Sequence, residues 1–207
     1  MRGAYSEFAI KRYVNAVISI LLIVAVAFGA AYGLDRLLGK AEENAYPQKY
    51  SEYVEKYAVE YNIPEYVIYA VIKVESDFDP LARSGVGACG LMQMMPSTFL
   101  WLTGEEHLNE SLPEAAIFIP EVSIRYGTYY LLYLYRKFDY NWDTAFAAYN
   151  GGEGNVKKWL EDPEYSDGNG GLAKIPFSET RSYVKKVNSA IENYKELYYD
   201  PNGGVTV

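Results

Sequence analysis

Glu75 is the first residue in this chain whose setting points to chemistry. It closes the run Glu-Tyr-Val-Ile-Tyr-Ala-Val-Ile-Lys-Val-Glu at 65–75. On a helix, Ile68, Val71 and Ile72 share its face. A carboxyl on an apolar stripe is either paired or partly desolvated. Desolvation disfavours the charged form, raises the pKa and keeps the group protonated near neutral pH, the state a general acid needs. A plainer reading stands beside it, a helix-end glutamate that reaches water. Three other segments carry polar groups. The loop from Ser84 to Pro96 holds Gly85, Gly87 and Gly90, which let backbone approach a ligand, and Gln93, a donor and acceptor set among methionines that suits sugar hydroxyl and acetamido groups. It reads equally as a turn with methionine as core filler, and no Gly-Lys-Ser/Thr makes it a phosphate loop. Tyr149 and Asn150 precede Gly151-Gly152 at a helix end; they face a cleft, or the segment is a plain C-cap. Ser178, Glu179 and Arg181 read as a capped helix start with surface charges.

Composition narrows the chemistry. The 207 residues include one Cys and one His, so an internal disulfide is excluded, no Cys- or His-rich metal centre is expected, and Ser-His-Asp chemistry has only His107. No cofactor or metal is called for. With 19 Lys and Arg against 27 Asp and Glu the net charge is −8, a poor basis for nucleic-acid binding. The 22 tyrosines combine a flat apolar face with a polar tip, which suits sugars and ordinary packing alike.

The elements that must position these residues are helical throughout, predicting an all-α fold. Residues 13–34 carry no charge; as a helix they span about 33 Å, enough for a hydrocarbon core of about 30 Å. The basic residues Arg2, Lys11 and Arg12 before the span favour an inside N-terminus over 1–12 and an external remainder. A cleaved signal peptide is the rival reading, with an apolar core usually shorter than this one. Residues 1–40 carry a net +3, which leaves −11 beyond them. The expected organisation is 1–12 cytoplasmic, 13–34 membrane anchor, 35–49 linker, 50–198 catalytic domain and 199–207 a flexible tail. Tyr46, Tyr50, Tyr53, Tyr57 and Tyr61 form one helical stripe, more suited to packing than to ligands. Helices are expected over 65–75, ended by Asp79-Pro80, then from Pro96 to about Thr103, over 121–138, 142–149 and 156–160, and from a Ser178 cap to about Tyr199. The segments 103–120 and 162–171 read as polar or flexible connections.

Taken in order, Glu75-Ser76, Gly90-Leu91-Met92-Gln93-Met94-Met95-Pro96, Ala148-Tyr149-Asn150-Gly151-Gly152 and Glu179-Thr180-Arg181-Ser182-Tyr183-Val184 closely resemble the catalytic domain of the soluble lytic transglycosylases of bacterial cell walls (the transglycosylase SLT domain, glycoside hydrolase family 23). The resemblance covers about residues 50–198. It implies a lysozyme-like helical domain acting on peptidoglycan glycan strands. It also implies cleavage of the β-1,4 bond between N-acetylmuramic acid and N-acetylglucosamine, with a 1,6-anhydro ring left on muramic acid. Glu75 then matches the general acid/base. Ser84, Gln93, Met95, Tyr149, Asn150, Glu179 and Tyr183 match positions that line the saccharide cleft or support the acid. Cys89 stands where Ala or Ser is common and Gly151 where Ala is common, which bears on the fine shape of the cleft. A muramidase that admits water, a silent peptidoglycan-binding module and a Tyr-rich adhesion domain are the rivals. A protein of the cell-wall machinery is an expected partner, because an acidic domain is repelled by anionic wall polymers.

Overall fold

The computed structural model describes residues 2–199, with side chains from Lys11 onward. Two compact units divide between Pro47 and Gln48. The described part of the first is one helix, α1 (Arg2–Ala45). From Lys11 to Ala45 it is long and apolar enough to cross a membrane. Ile20, Leu21, Ile23 and Phe28 stand exposed along it. Such a surface in water costs about 25 cal/mol per Å², a cost that a hydrocarbon layer removes.

The second unit contains α2 (Ser51–Tyr61), α3 (Glu65–Ser76), α4 (Pro96–Leu102), α5 (Pro120–Lys137), α6 (Trp142–Gly151), α7 (Glu153–Glu161) and α8 (Ser178–Tyr194). A 3-10 turn at Glu114–Phe118 and a π-helical turn at Lys195–Tyr199 complete it. Among the described residues, extended pairing is limited to isolated bridges such as Arg83 with Cys89 and Cys89 with Met94, so the all-α expectation holds.

Helix α3 is the hub. Val67 through Ile72 are buried, as a helix apolar on every side requires. It packs chiefly on α8, while α2 lies on α5 and α6 touches both α5 and α8. Tyr69 of α3 stacks on Tyr194 of α8 at 5.4 Å, both fully buried. Tyr57 and Tyr61 are buried, and the Tyr61 ring tilts against Tyr129 of α5 at 5.6 Å. These members of the tyrosine stripe are core, not ligand contacts.

Several boundaries differ from the sequence expectation. The first amphipathic helix starts at Ser51, because Tyr50 adopts a left-handed conformation (φ 61°) that keeps Tyr46 and Tyr50 outside it. Helix α3 stops at Ser76, ahead of Asp79-Pro80, because Asp77 (φ 49°) and Phe78 (φ 65°) are both left-handed. That geometry costs about 1–2 kcal/mol per residue, offset by burial of the Phe78 ring and by the Lys73–Asp77 ion pair. Ser178 does not cap α8: it is the first helical residue, Phe177 takes the cap position, and no side chain bonds there. Instead Arg181 donates to the Ile175 carbonyl at 2.7 Å and fixes the entry. Within the π-turn, Tyr199 donates to Glu65 at 2.7 Å and accepts from Gln48 at 3.1 Å. The tail 200–207 lies outside the described residues.

Two glycines set the loop between α3 and α4 against α5. Gly90 has φ 77°, and a Cβ there would collide with the Ile117 carbonyl and come within 2.9 Å of the Ser123 hydroxyl. Its freedom therefore serves packing, not ligand approach. Gly127 of α5 leaves the space that the Met92 side chain fills. Gly90→Ala is expected to lower the unfolding free energy by about 2–4 kcal/mol, read from urea denaturation, since strain and overpacking add. A loss under about 0.5 kcal/mol would mean that the loop yields freely.

Candidate active site

Glu75 lies in the last turn of α3. Part of its side chain meets solvent, but protein atoms crowd the carboxyl on nearly every side, and burial pushes its pKa up to about 7. The opposing influence is the Tyr183 hydroxyl, which favours the carboxylate. The position adds to the burial effect, because the carbonyl end of a helix disfavours a negative charge. The two nearby carboxylates are occupied. Asp77 is exposed and paired with Lys73, and Asp79 accepts from the Leu81 amide at 2.9 Å.

Two tyrosines from different helices converge on Glu75. Tyr149, near the end of α6, donates to the Met92 carbonyl at 2.7 Å and sets its ring against Tyr130 at 5.4 Å. Tyr183, from α8, is buried, and its hydroxyl makes no hydrogen bond of ordinary geometry, although it lies close enough to Glu75 to stabilise the carboxylate. Both phenols are pushed far above their usual pKa, first by burial and next by the Glu75 charge. They therefore stay protonated wherever the protein works. Helices α3, α6 and α8, with the Met92 backbone, thus meet around one carboxyl.

The other sequence candidates fall into two groups. Asn150 and Glu179 are exposed and line a cleft of about 610 Å³ together with Val86, Gly151 and Phe177. Ser84 and Gln93 shape the loop. The Ser84 hydroxyl accepts from the Ala88 amide at 2.9 Å. Gln93 sits in a left-handed conformation (φ 45°), and its side-chain nitrogen donates to the carbonyls of Gly90 at 2.9 Å and Ala82 at 3.1 Å. Only its side-chain oxygen remains for a ligand. Met95 is exposed at the cap of α4.

Sequence reasoning passed over three supports. Ser76 donates to the Leu91 carbonyl at 2.7 Å and ties the end of α3 to the loop; its place beside Glu75 was the signal. Tyr130 backs Tyr149, and nothing in its spacing singled it out. Thr180 explains Gly151, since a Cβ there would stand 2.9 Å from the Thr180 hydroxyl and 3.3 Å from Trp159. Cys89 is buried, its thiol donating to the Gly87 carbonyl at 3.3 Å. Among the described residues no cluster of three potential metal ligands forms.

The raised pKa carries a stability consequence. Between about pH 4.5 and pH 7 the folded chain holds a proton on Glu75 that the unfolded chain releases, so stability falls as pH rises through that window. Glu75→Gln is expected to gain up to about 3 kcal/mol over the parent at pH 8 and almost nothing at pH 4, read from urea denaturation at both values. An equal gain at both would detach the effect from ionisation.

The transglycosylase SLT domain model matches residues 52–170. The soluble lytic murein transglycosylase of Escherichia coli K12 is 36% identical over 146 residues, covering 70% of this chain and 23% of that protein. The membrane-bound lytic murein transglycosylase C of Yersinia pestis (strain Pestoides F) is 31% identical over 174 residues, covering 71% of this chain and 47% of its own. The crystal structure of the 70 kDa soluble lytic transglycosylase from Escherichia coli superposes with a TM-score of 0.70 at 34% identity, over 78% of this chain and 26% of that one. An inactive mutant of lytic transglycosylase Slt from Pseudomonas aeruginosa gives 0.65 at 33% identity, over 77% and 25%. This chain spans about a quarter of the soluble relatives and about half of the membrane-bound one. With more than half of its residues matched, from α2 to the loop after α7, the chain belongs to the transglycosylase SLT domain family.

Proposed function

We propose that this protein is a membrane-anchored lytic transglycosylase that cleaves the β-1,4 bond between N-acetylmuramic acid and N-acetylglucosamine in peptidoglycan and leaves a 1,6-anhydromuramic end. One observation carries the reading: a carboxyl on an apolar helix face, its pKa raised to about 7, faced by two tyrosines that cannot ionise. Most glycosidases use two carboxylates. Here one acid suffices if the substrate supplies the nucleophile. Glu75 gives its proton to the glycosidic oxygen as the bond to the muramic anomeric carbon breaks, and the 2-acetamido oxygen bonds to that carbon. Glu75, now a carboxylate, takes the proton of the C6 hydroxyl. O6 then bonds to the anomeric carbon, the acetamido oxygen leaves, and Glu75 ends protonated as it began. A pKa near neutrality lets one group serve first as acid and then as base.

In this reading Tyr183 stabilises the carboxylate formed between the two steps, and Tyr149 fixes the Met92 backbone beside it. Asn150 and Glu179 contact the strand in the adjoining cleft. Ser84 and Gln93 hold the loop, with Met95 at its rim. Residues 13–34 cross the membrane once, 1–12 lie in the cytoplasm, and 50–198 act outside, beyond the linker 35–49. A wall-machinery protein recruits the acidic domain to its anionic substrate.

Mass spectrometry of muropeptides released from purified sacculi by the full chain in detergent tests the activity. Anhydro ends are expected, and reducing muramic ends would make it a hydrolase. Glu75→Gln is expected to lower turnover by more than about 10²–10⁴-fold, because one residue serves both steps. In the parent, kcat/KM falls as pH rises through about 7, where the acid form is lost. Activity within a few-fold of the parent in Glu75→Gln would sink the single-carboxylate mechanism.

Tyr149→Phe strands the buried Met92 carbonyl, whereas Gln93→Ala removes one donor each from the Gly90 and Ala82 carbonyls, which keep the backbone N–H groups of Gln93 and Gly90. Tyr149→Phe is expected to cost about 1–3 kcal/mol of stability and Gln93→Ala about 0.5–1.5 kcal/mol, each with a loss of about 10–100-fold in kcat/KM. Denaturation and rate measured on the same samples check this. Full activity together with full stability would withdraw both residues from the site.

A further inference from the structure

We propose that Trp101, Tyr133 and Arg136 form a second saccharide-contact surface that holds the glycan strand away from the scissile bond. This rests on the glycan-strand reading given above. Trp101 lies in the last turn of α4 and is 42% exposed, high for the largest apolar side chain. Its ring does not hang free. It meets His107 edge-on at 4.0 Å and Tyr133 at 5.2 Å. Rings held this way lose little freedom when something settles on them.

The platform is continuous with the site. Tyr133 stacks on Tyr130 at 6.2 Å, and Tyr130 tilts against Tyr149 at 5.4 Å. Tyr149 in turn feels the Glu75 charge. An unbroken series of rings therefore runs from the catalytic carboxyl out to an exposed indole. None of these outer residues lies in the four segments that carry the family resemblance.

A cavity of about 310 Å³ opens beside Tyr133, with Arg136 on its wall. The neighbouring Lys137 is committed to Glu153 at 2.8 Å and to the Tyr133 hydroxyl at 2.6 Å. Arg136 is exposed and has no partner among the described residues. Aromatic faces beside a free guanidinium match one chemical class well. A pyranose ring has an apolar C–H face for the rings, and a carboxylate borne by the strand accepts the fork of guanidinium donors.

The full chain carrying Glu75→Gln, in detergent, is titrated with purified glycan strands. Trp101→Ala and Arg136→Gln in that background are each expected to raise Kd about tenfold. Arg136→Gln should leave the melting temperature in place, because the residue is exposed and unpaired, which separates strand binding from folding. Unchanged strand affinity in Arg136→Gln and Trp101→Ala overturns the proposal. So does a loss confined to Trp101→Ala and matched by a fall in its melting temperature; either outcome would hand the indole to another partner or to packing. Whether the parent chain makes anhydro ends is read separately on sacculi. Strand binding that depends on Trp101 and Arg136 without anhydro ends would keep this surface and discard the activity.

Discussion

A carboxyl removed from water with no cation beside it is the constraint around which the helical unit is arranged. Glu75 is raised to about 7 by burial. That shift requires the end of α3 to be covered: α8 packs along the helix, Ser76 binds it to the loop 84–95, and Tyr149 of α6 approaches the carboxyl. The cover must also be rigid, because a loop that opened would rehydrate the carboxyl and return it to an ordinary acid. The close approaches at Gly90 and Gly127 supply that rigidity. Ser76 and Tyr149 then tie the loop backbone to α3 and α6, through the carbonyls of Leu91 and Met92. Gly90, which looks like a ligand-approach residue in the sequence, thus acts one step back, by fixing what surrounds the acid.

The family and the helical class were legible from residue types and order, and so was a carboxyl set on an apolar face. Glu75 stood out because Ile68, Val71 and Ile72 share its face, and a helix that is apolar all round has to be buried. Less legible was what each polar side chain in the loop does. Gln93 reads as a free amide offered to a sugar, yet both of its side-chain hydrogen bonds run to backbone carbonyls. The reason is its left-handed backbone, which turns the side chain back over its own loop, and no sequence pattern announces φ 45° at a glutamine. The early end of α3 was hidden for the same cause, in Asp77 and Phe78. Ser178 misled because serine before a helix usually caps it, whereas here Arg181 secures the chain through the Ile175 carbonyl.

The tyrosines show how one residue type serves two ends. Tyr69 and Tyr194 are core, stacked and fully buried. Tyr149 lies near Glu75, and Tyr130 and Tyr133 lead outward from it. A stripe counted in sequence cannot separate these groups, because helical spacing fixes a face but not what lies opposite it. The opposing helix decides: α8 opposite Tyr69, the open side of α5 for Tyr133.

Tyr183 is where the balance of the site is set. Its hydroxyl is buried without a hydrogen bond of ordinary geometry, an uncompensated cost of about 1–3 kcal/mol for a polar group. A short bond to Glu75 would recover that cost, but it would also stabilise the carboxylate and pull the pKa back toward that of an ordinary acid. Burial outweighs the Tyr183 hydroxyl in setting the resting pKa of Glu75. Once the proton has left, the new charge attracts the phenol, and the contact gains most when the carboxylate exists. In the proposed mechanism, a donor that gains most from the charged form favours the intermediate over the starting state, as a residue that first loses and then regains one proton requires.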